Sequence, residues 1–145
     1  MIKRRPIVLL VEPDASYRIL LAHLLEDNGW RVLTASSLAN AVEATKAPDA
    51  VVISIEVAAA DHEEVREAAR LCASLNPAKD IPVVLISELS EDEYRNDLRQ
   101  LDTNYRWLRK PLEAGALNSL LIELLDNTHK ASDRSVKGGA TRGKR

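Results

Sequence analysis

Residues 7–35 read IVLLVEPDASYRILLAHLLEDNGWRVLTA, and the fold turns on how this stretch divides. Its first five residues, Ile7 to Val11, are apolar without alternation, the pattern of a strand covered on both faces in a parallel sheet. A polar break from Glu12 to Ser16 ends that run. From Tyr17 the apolar residues change period: Tyr17, Leu20, Leu21, Leu24 and Leu25 fall at offsets 0, 3, 4, 7 and 8, one face of a helix. Asp14 stands where a helix needs an N-cap, and Asn28-Gly29 supplies a left-handed stop before the next apolar run, WRVLTA at 30–35. Strand, helix and strand within about 30 residues form a βαβ unit, whose crossover makes the two strands parallel.

The rest of the chain repeats this alternation. Further strands are expected at AVVISI (50–55), VVLIS (83–87) and WL (107–108). Leu117, Leu120, Leu121, Leu124 and Leu125 repeat the helical template of the first unit. Leu38, Ala41, Val42 and Thr45 give a shorter stripe, as do Val65, Ala68, Ala69 and Cys72, while Tyr94, Leu98 and Leu101 give the weakest. Asp61 followed by Glu64 has the spacing of a capping box. The expected fold is α/β: a (βα)5 doubly wound, five-stranded parallel sheet with helices on both sides. Such sheets bind ligands at the carboxyl ends of their strands, so the loops to inspect begin at Glu12, Ser54, Ser87 and Lys110.

Composition narrows the function classes. A chain of 145 residues, 46% hydrophobic and 29% charged, has the size and make-up of one soluble domain. No apolar run approaches the ~20 residues that span a bilayer. The start, MIKRRPIVLLV, lacks the apolar core and cleavage site of a secretion signal, so a cytoplasmic location is expected. One cysteine, Cys72, and three scattered histidines, His23, His62 and His129, offer neither a disulfide nor zinc-ligand spacing. Cys72, on an apolar stripe, reads as a small buried hydrophobe.

The net charge of −2 hides a division, because residues 128–145 carry +5 and residues 1–127 carry −7. Apolar periodicity stops after Asn127, so residues 1–127 are expected to form the domain and residues 128–145 a basic, disordered tail. Charge spread that thinly, with no aromatic interleaved, gives weak, salt-sensitive and sequence-blind attraction to nucleic acid, a poor target for the chain on its own.

Four elements in order carry a family resemblance. IVLLVEPDASYR, PDAVVISIEVA, IPVVLIS and WLRKP resemble the receiver domain of bacterial two-component response regulators, over residues 7–125. There the first element is an apolar strand, two acidic residues and an arginine five positions after the second. The second is Pro-Asp, a strand and the phosphoacceptor aspartate; the third is a strand ending in Thr or Ser; the fourth is an aromatic followed by Lys-Pro. The resemblance implies a flavodoxin-like strand order, 2-1-3-4-5, and a cis Lys110-Pro111 bond. It also implies phosphoryl transfer from a phosphohistidine to an aspartate, with magnesium held by that aspartate and the acidic pair.

The chain departs from that pattern where the chemistry is done. Ser54 occupies the acceptor position, and a neutral hydroxyl without an adjacent base is a poor nucleophile. Of the acidic pair only Glu12 is present, because Pro13 fills the second place and offers no ligand, whereas magnesium asks for octahedral oxygens and usually one or two carboxylates. Magnesium binding and phosphoacceptance are therefore expected to be lost, with no catalysis and no other cofactor. Ser87 and Lys110 keep the residue types that grip a phosphoryl group, and Lys110 is expected to pair with Glu12 instead.

The expected function is a phosphorylation-independent pseudo-receiver, a protein-binding regulatory module in bacterial signalling. Its expected contact surface, implied by the resemblance, is the face made by the fourth helix, the fifth strand and the fifth helix, where Tyr94, Arg95, Arg99, Tyr105, Arg106, Trp107 and Arg109 gather to meet another protein or a second copy. One alternative is a phosphoacceptor that uses Glu12, Asp14 or Glu56. Another is a regulator brought to nucleic acid with help from the basic tail. A flavin or dinucleotide protein is disfavoured, since the loop EPDASY has no glycine to let the backbone approach a phosphate.

Overall fold

Strands apolar on both sides need cover on both sides, and the computed structural model supplies it. The structure describes residues 5–41, 48–55, 63–75, 81–99, 105–113 and 115–137, with backbone alone at 63–65, 73–75, 97 and 128–137. In chain order the elements are β1 (Ile7–Val11), α1 (Ala15–Asp27), β2 (Arg31–Ala35), α2 (Leu38–Ala41) and β3 (Ala50–Ile55). Then come α3 (Glu63–Leu75), β4 (Val83–Ser87), a 3-10 turn (Glu91–Tyr94) leading into α4 (Arg95–Leu98), β5 (Tyr105–Arg109) and α5 (Ala116–Lys137). All five strands are parallel, in the order β2-β1-β3-β4-β5, as expected.

Every residue of β1, β3 and β4 is buried, and alternate residues serve opposite faces. Val8, Leu10, Val52, Val84 and Ile86 pack under α1 and α5, against Leu21, Ala22, Leu25, Leu117 and Leu121. Leu9, Val11, Val51, Ile53 and Leu85 pack under α2, α3 and α4, against Ala41, Ala68, Leu71, Cys72, Tyr94 and Leu98. The Cys72 thiol lies in that second layer, where burial pushes its pKa up to about 12, so it is an unreactive filler at neutral pH. β2 and β5 form the edges and mix exposed with buried residues.

The local signals act as their chemistry requires. The Asp14 side chain accepts from the Tyr17 N–H and caps α1, while Gly29 takes φ +97° after the Asn28 C-cap. Asp49 anchors the start of the sheet: its Oδ2 accepts from the Ile7 N–H at 2.7 Å and its own N–H donates to the Ile7 carbonyl at 2.7 Å. Lys110-Pro111 is cis.

Several boundaries differ from expectation. Trp30 lies outside β2, buried beneath α1 and α5 with its indole N–H donating to Asn118 Oδ1 at 2.7 Å, so its hydrophobicity reports core and not strand. β5 is longer than Trp107-Leu108, because at an edge the polar residues Arg106 and Arg109 continue the ladder into solvent. α5 does not stop at Asn127, where the basic tail was expected to begin; its backbone stays helical to Lys137. The apolar stripe marks which face is buried, whereas the helix itself needs only the absence of glycine and proline, and Gly138 is the first of either after Gly115. Val42, Thr45, Glu56, Asp61 and Leu101 lie outside the described residues.

The doubly covered strands carry the stability. Ile53→Ala or Leu10→Ala should cost about 2–5 kcal/mol in urea denaturation, while Ile19→Ala, at a side chain 57% exposed, should stay within about 0.5 kcal/mol of the parent.

Candidate functional site

Parallel pairing aligns the carboxyl ends of the strands. Val11 pairs with Ala35 and Ile53, Ser54 with Ile86, and Ser87 with both Ile55 and Arg109, so the residues just beyond come together at one edge. Glu12 follows β1 and has no solvent exposure; Pro13, next to it, is exposed. Ser54 is the penultimate residue of β3, 4% exposed, and Ser87 ends β4 fully buried. Lys110 follows β5.

The expected pair between Glu12 and Lys110 is present. Lys110 Nζ donates to Glu12 Oε1 at 3.1 Å, with the carboxylate side chain fully buried and the lysine side chain 17% exposed. The other carboxylate oxygen, Oε2, accepts from the Asp14 N–H at 2.9 Å. Arg18 closes the same turn from outside, its Nη1 donating to the Glu12 carbonyl at 2.7 Å. Lys110 also stands over the ring of Tyr17, 4.7 Å from the centroid, a cation–π contact. The sequence shows Tyr17 only as the first residue of an apolar stripe. The signal for its second role is its place one turn after the cap, where the start of α1 passes the β1 loop.

Two hydroxyls here have no hydrogen-bond partner among the described residues, Ser54 Oγ and Tyr17 Oη, both buried. Asp14, Tyr17, Glu88, Lys110 and Pro111 line an open cavity of about 420 Å³ at this edge. No group of three or more metal-ligating side chains occurs among the described residues. Glu56 is outside them, and Asp14 is committed to its cap on the Tyr17 N–H.

On β4 and β5 the residues are tied together. Ser87 Oγ accepts from the Leu89 N–H at 3.1 Å, and the Trp107 indole N–H donates to the Leu89 carbonyl at 2.9 Å, so Leu89 is held at both ends. Tyr94 is 3% exposed and packs against Trp107 with ring centroids 5.7 Å apart. Tyr105 donates to Glu91 Oε2 at 2.6 Å; burial first, and that bond second, push its pKa up to about 12, so the phenol keeps its proton throughout the physiological range. Arg95, beside Asp92, and Arg99, Arg106 and Arg109 are exposed, with Arg109 donating to the Glu88 carbonyl at 2.9 Å. Tyr94 is therefore a core residue and offers no surface, Trp107 and Tyr105 offer edges, and the exposed chemistry of this face is arginine.

Comparison with known proteins agrees with this geometry. No family model matches the sequence, and no curated protein does either. Solved structures do match: a response regulator receiver protein from Sinorhizobium medicae WSM419 aligns at a TM-score of 0.70 and 23% identity, over 86% of this chain and 98% of that one. The receiver domain of a sensor histidine kinase from Pseudomonas aeruginosa PAO1, with a magnesium ion coordinated in its active-site cleft, aligns at 0.69 and 19% identity, over 85% and 99%. A CheY-like receiver domain protein from Methanospirillum hungatei JF-1 aligns at 0.71 and 16% identity, over 88% and 99%. The chain has the receiver fold.

The ion pair can be weighed by mutation. Lys110→Met strands a buried carboxylate and should cost about 3 kcal/mol, the low end for a broken buried pair because the ammonium keeps some solvent contact. Adding Glu12→Gln should recover much of that loss, and a double-mutant cycle in urea measures it.

Proposed function

We propose that this chain is a phosphorylation-independent receiver-like module, without catalytic activity, that regulates a bacterial signalling protein by binding it. The observation that carries the reading is the state of Glu12. Its two carboxylate oxygens are engaged by Lys110 and by the Asp14 N–H, so the acidic-pair residue that the chain keeps is already compensated from within. The donors do not fit magnesium: beside this occupied glutamate stand a proline and a neutral serine, and no octahedral carboxylate set can be assembled from them. Among the described residues, no carboxylate or imidazole is bonded to Ser54 to make its hydroxyl a nucleophile.

A receiver that takes no phosphoryl group has no differential ligand to move it between two states, so one arrangement prevails. The clamp on Leu89 from Ser87 and Trp107 supports this, because it ties the β4–α4 loop to β5 without any phosphate. Binding then rests on a fixed surface. Arg95, Arg99, Arg106 and Arg109, exposed around aromatics that are themselves anchored, suit an acidic protein surface.

Intact-mass measurement after incubation with acetyl phosphate and magnesium tests the first half. The mass should not change; a hydroxylamine-labile gain of one phosphate would establish the phosphoacceptor alternative. Magnesium with beryllofluoride should likewise leave the Tm where it is, and a rise of several degrees would reveal a surviving ligand site. For the second half, Arg106→Ala with Arg109→Ala should reduce capture of the cognate protein by tenfold or more without lowering the Tm, at the roughly 1–2 kcal/mol per residue typical of interface arginines. Undiminished capture by that variant removes this face from the account.

A further inference from the structure

The C-cap of α1, Asn28, is the one asparagine in the chain that precedes a glycine. A glycine nitrogen has no neighbouring side chain to keep it from the carboxamide before it, so the pair can close to a five-membered imide. The step balances without an oxidant. The Gly29 amide gives its proton to hydroxide, its nitrogen bonds to Asn28 Cγ, the Cγ–Nδ2 bond breaks, and Nδ2 takes a proton from water and leaves as ammonia. Water then opens the imide at either carbonyl, leaving aspartate or isoaspartate at position 28.

Asn28 is exposed, so water and hydroxide reach it, and what holds the reaction back is the geometry of the closed turn. The Gly29 N–H donates to the Glu26 carbonyl at 3.0 Å, which favours the protonated nitrogen over the attacking one. The leaving nitrogen, Nδ2, donates to the Leu24 carbonyl at 2.7 Å. The ψ of Asn28 is 14°, which sets the Gly29 nitrogen almost over the nitrogen of Asn28 itself, a third of a turn about the Cα–C bond from the Cβ that it must eclipse to close the ring. All three restraints belong to one turn and are released together when it opens. The product, in contrast, opposes reclosure. A carboxylate at 28 would follow Glu26 and Asp27 at the negative end of α1 and turn an acceptor toward the Leu24 carbonyl. Isoaspartate also lengthens the backbone by one methylene just before Trp30, which is 2% exposed, with its N–H donating to the Leu25 carbonyl at 3.1 Å and its indole to Asn118.

We propose that Asn28 is a deamidation site gated by the last turn of α1: the closed turn prevents imide formation, opening permits it, and the product keeps the turn from closing again. The residue is then a one-way mark that this end of the domain has opened. The site is independent of the reading given above for the strand ends and the β5 edge.

The full-length protein is incubated in mildly alkaline buffer across a urea series, and aspartate and isoaspartate at each asparagine are read by peptide mapping. In denaturing urea residue 28 should convert ahead of every other asparagine. Without urea its conversion should be about tenfold or more slower, and it should begin to quicken below the global transition, as local opening requires. Asn28→Gln, which lengthens the ring that must close, should abolish the signal at this position. Asn28→Asp, the product of the reaction, should lower the urea midpoint of the otherwise unmodified chain. Equal rates in the folded and denatured protein, another asparagine leading in denaturing urea, a rate that rises only with global unfolding, or a midpoint untouched by Asn28→Asp would each overturn the proposal.

Discussion

A carboxylate with no solvent exposure is the constraint around which the strand-end loops are arranged. Leaving such a charge uncompensated costs several kcal/mol, a large share of the 5–15 kcal/mol by which domains are stable. The chain meets this requirement at Glu12 with groups drawn from two strand-end loops: the Lys110 ammonium from beyond β5, and the Asp14 N–H from the start of α1. Each has its own support. Lys110 lies on the Tyr17 ring, and Asp14 is fixed by capping the helix to which Tyr17 belongs. One buried charge thus ties the β1–α1 turn to the β5–α5 turn across 98 residues of sequence, and neither loop can move without exposing the other's need.

How much of this is legible in the sequence depends on whether a signal is local. The three inner strands are read to the residue, because burial on both faces leaves no polar position to blur their ends. The edges are read poorly for the same reason: β5 alternates into solvent, and only its two most apolar residues stand out. The one-turn α4 leaves only the weak stripe that begins at Tyr94, and Tyr94 itself reaches the core from the 3-10 turn before the helix. In the site, Glu12, Ser54, Ser87 and Lys110 are legible because a parallel sheet brings strand ends together whatever the loops do. The partners of these residues are another matter. The Tyr17 ring over Lys110, the two bonds on Leu89 and the Asn118 cap on Trp30 depend on side-chain direction, which sequence spacing does not carry.

The surface proposed for binding starts one residue from this ion pair in sequence. Arg106 and Arg109 lie on β5, the strand that Lys110 follows. Two sites communicate only if some element between them has two arrangements and each ligand prefers one. Here the lysine and the glutamate hold each other. On the proposed reading, with no ligand to part Glu12 from Lys110, a protein bound at the β5 edge has no second arrangement of the strand ends to select.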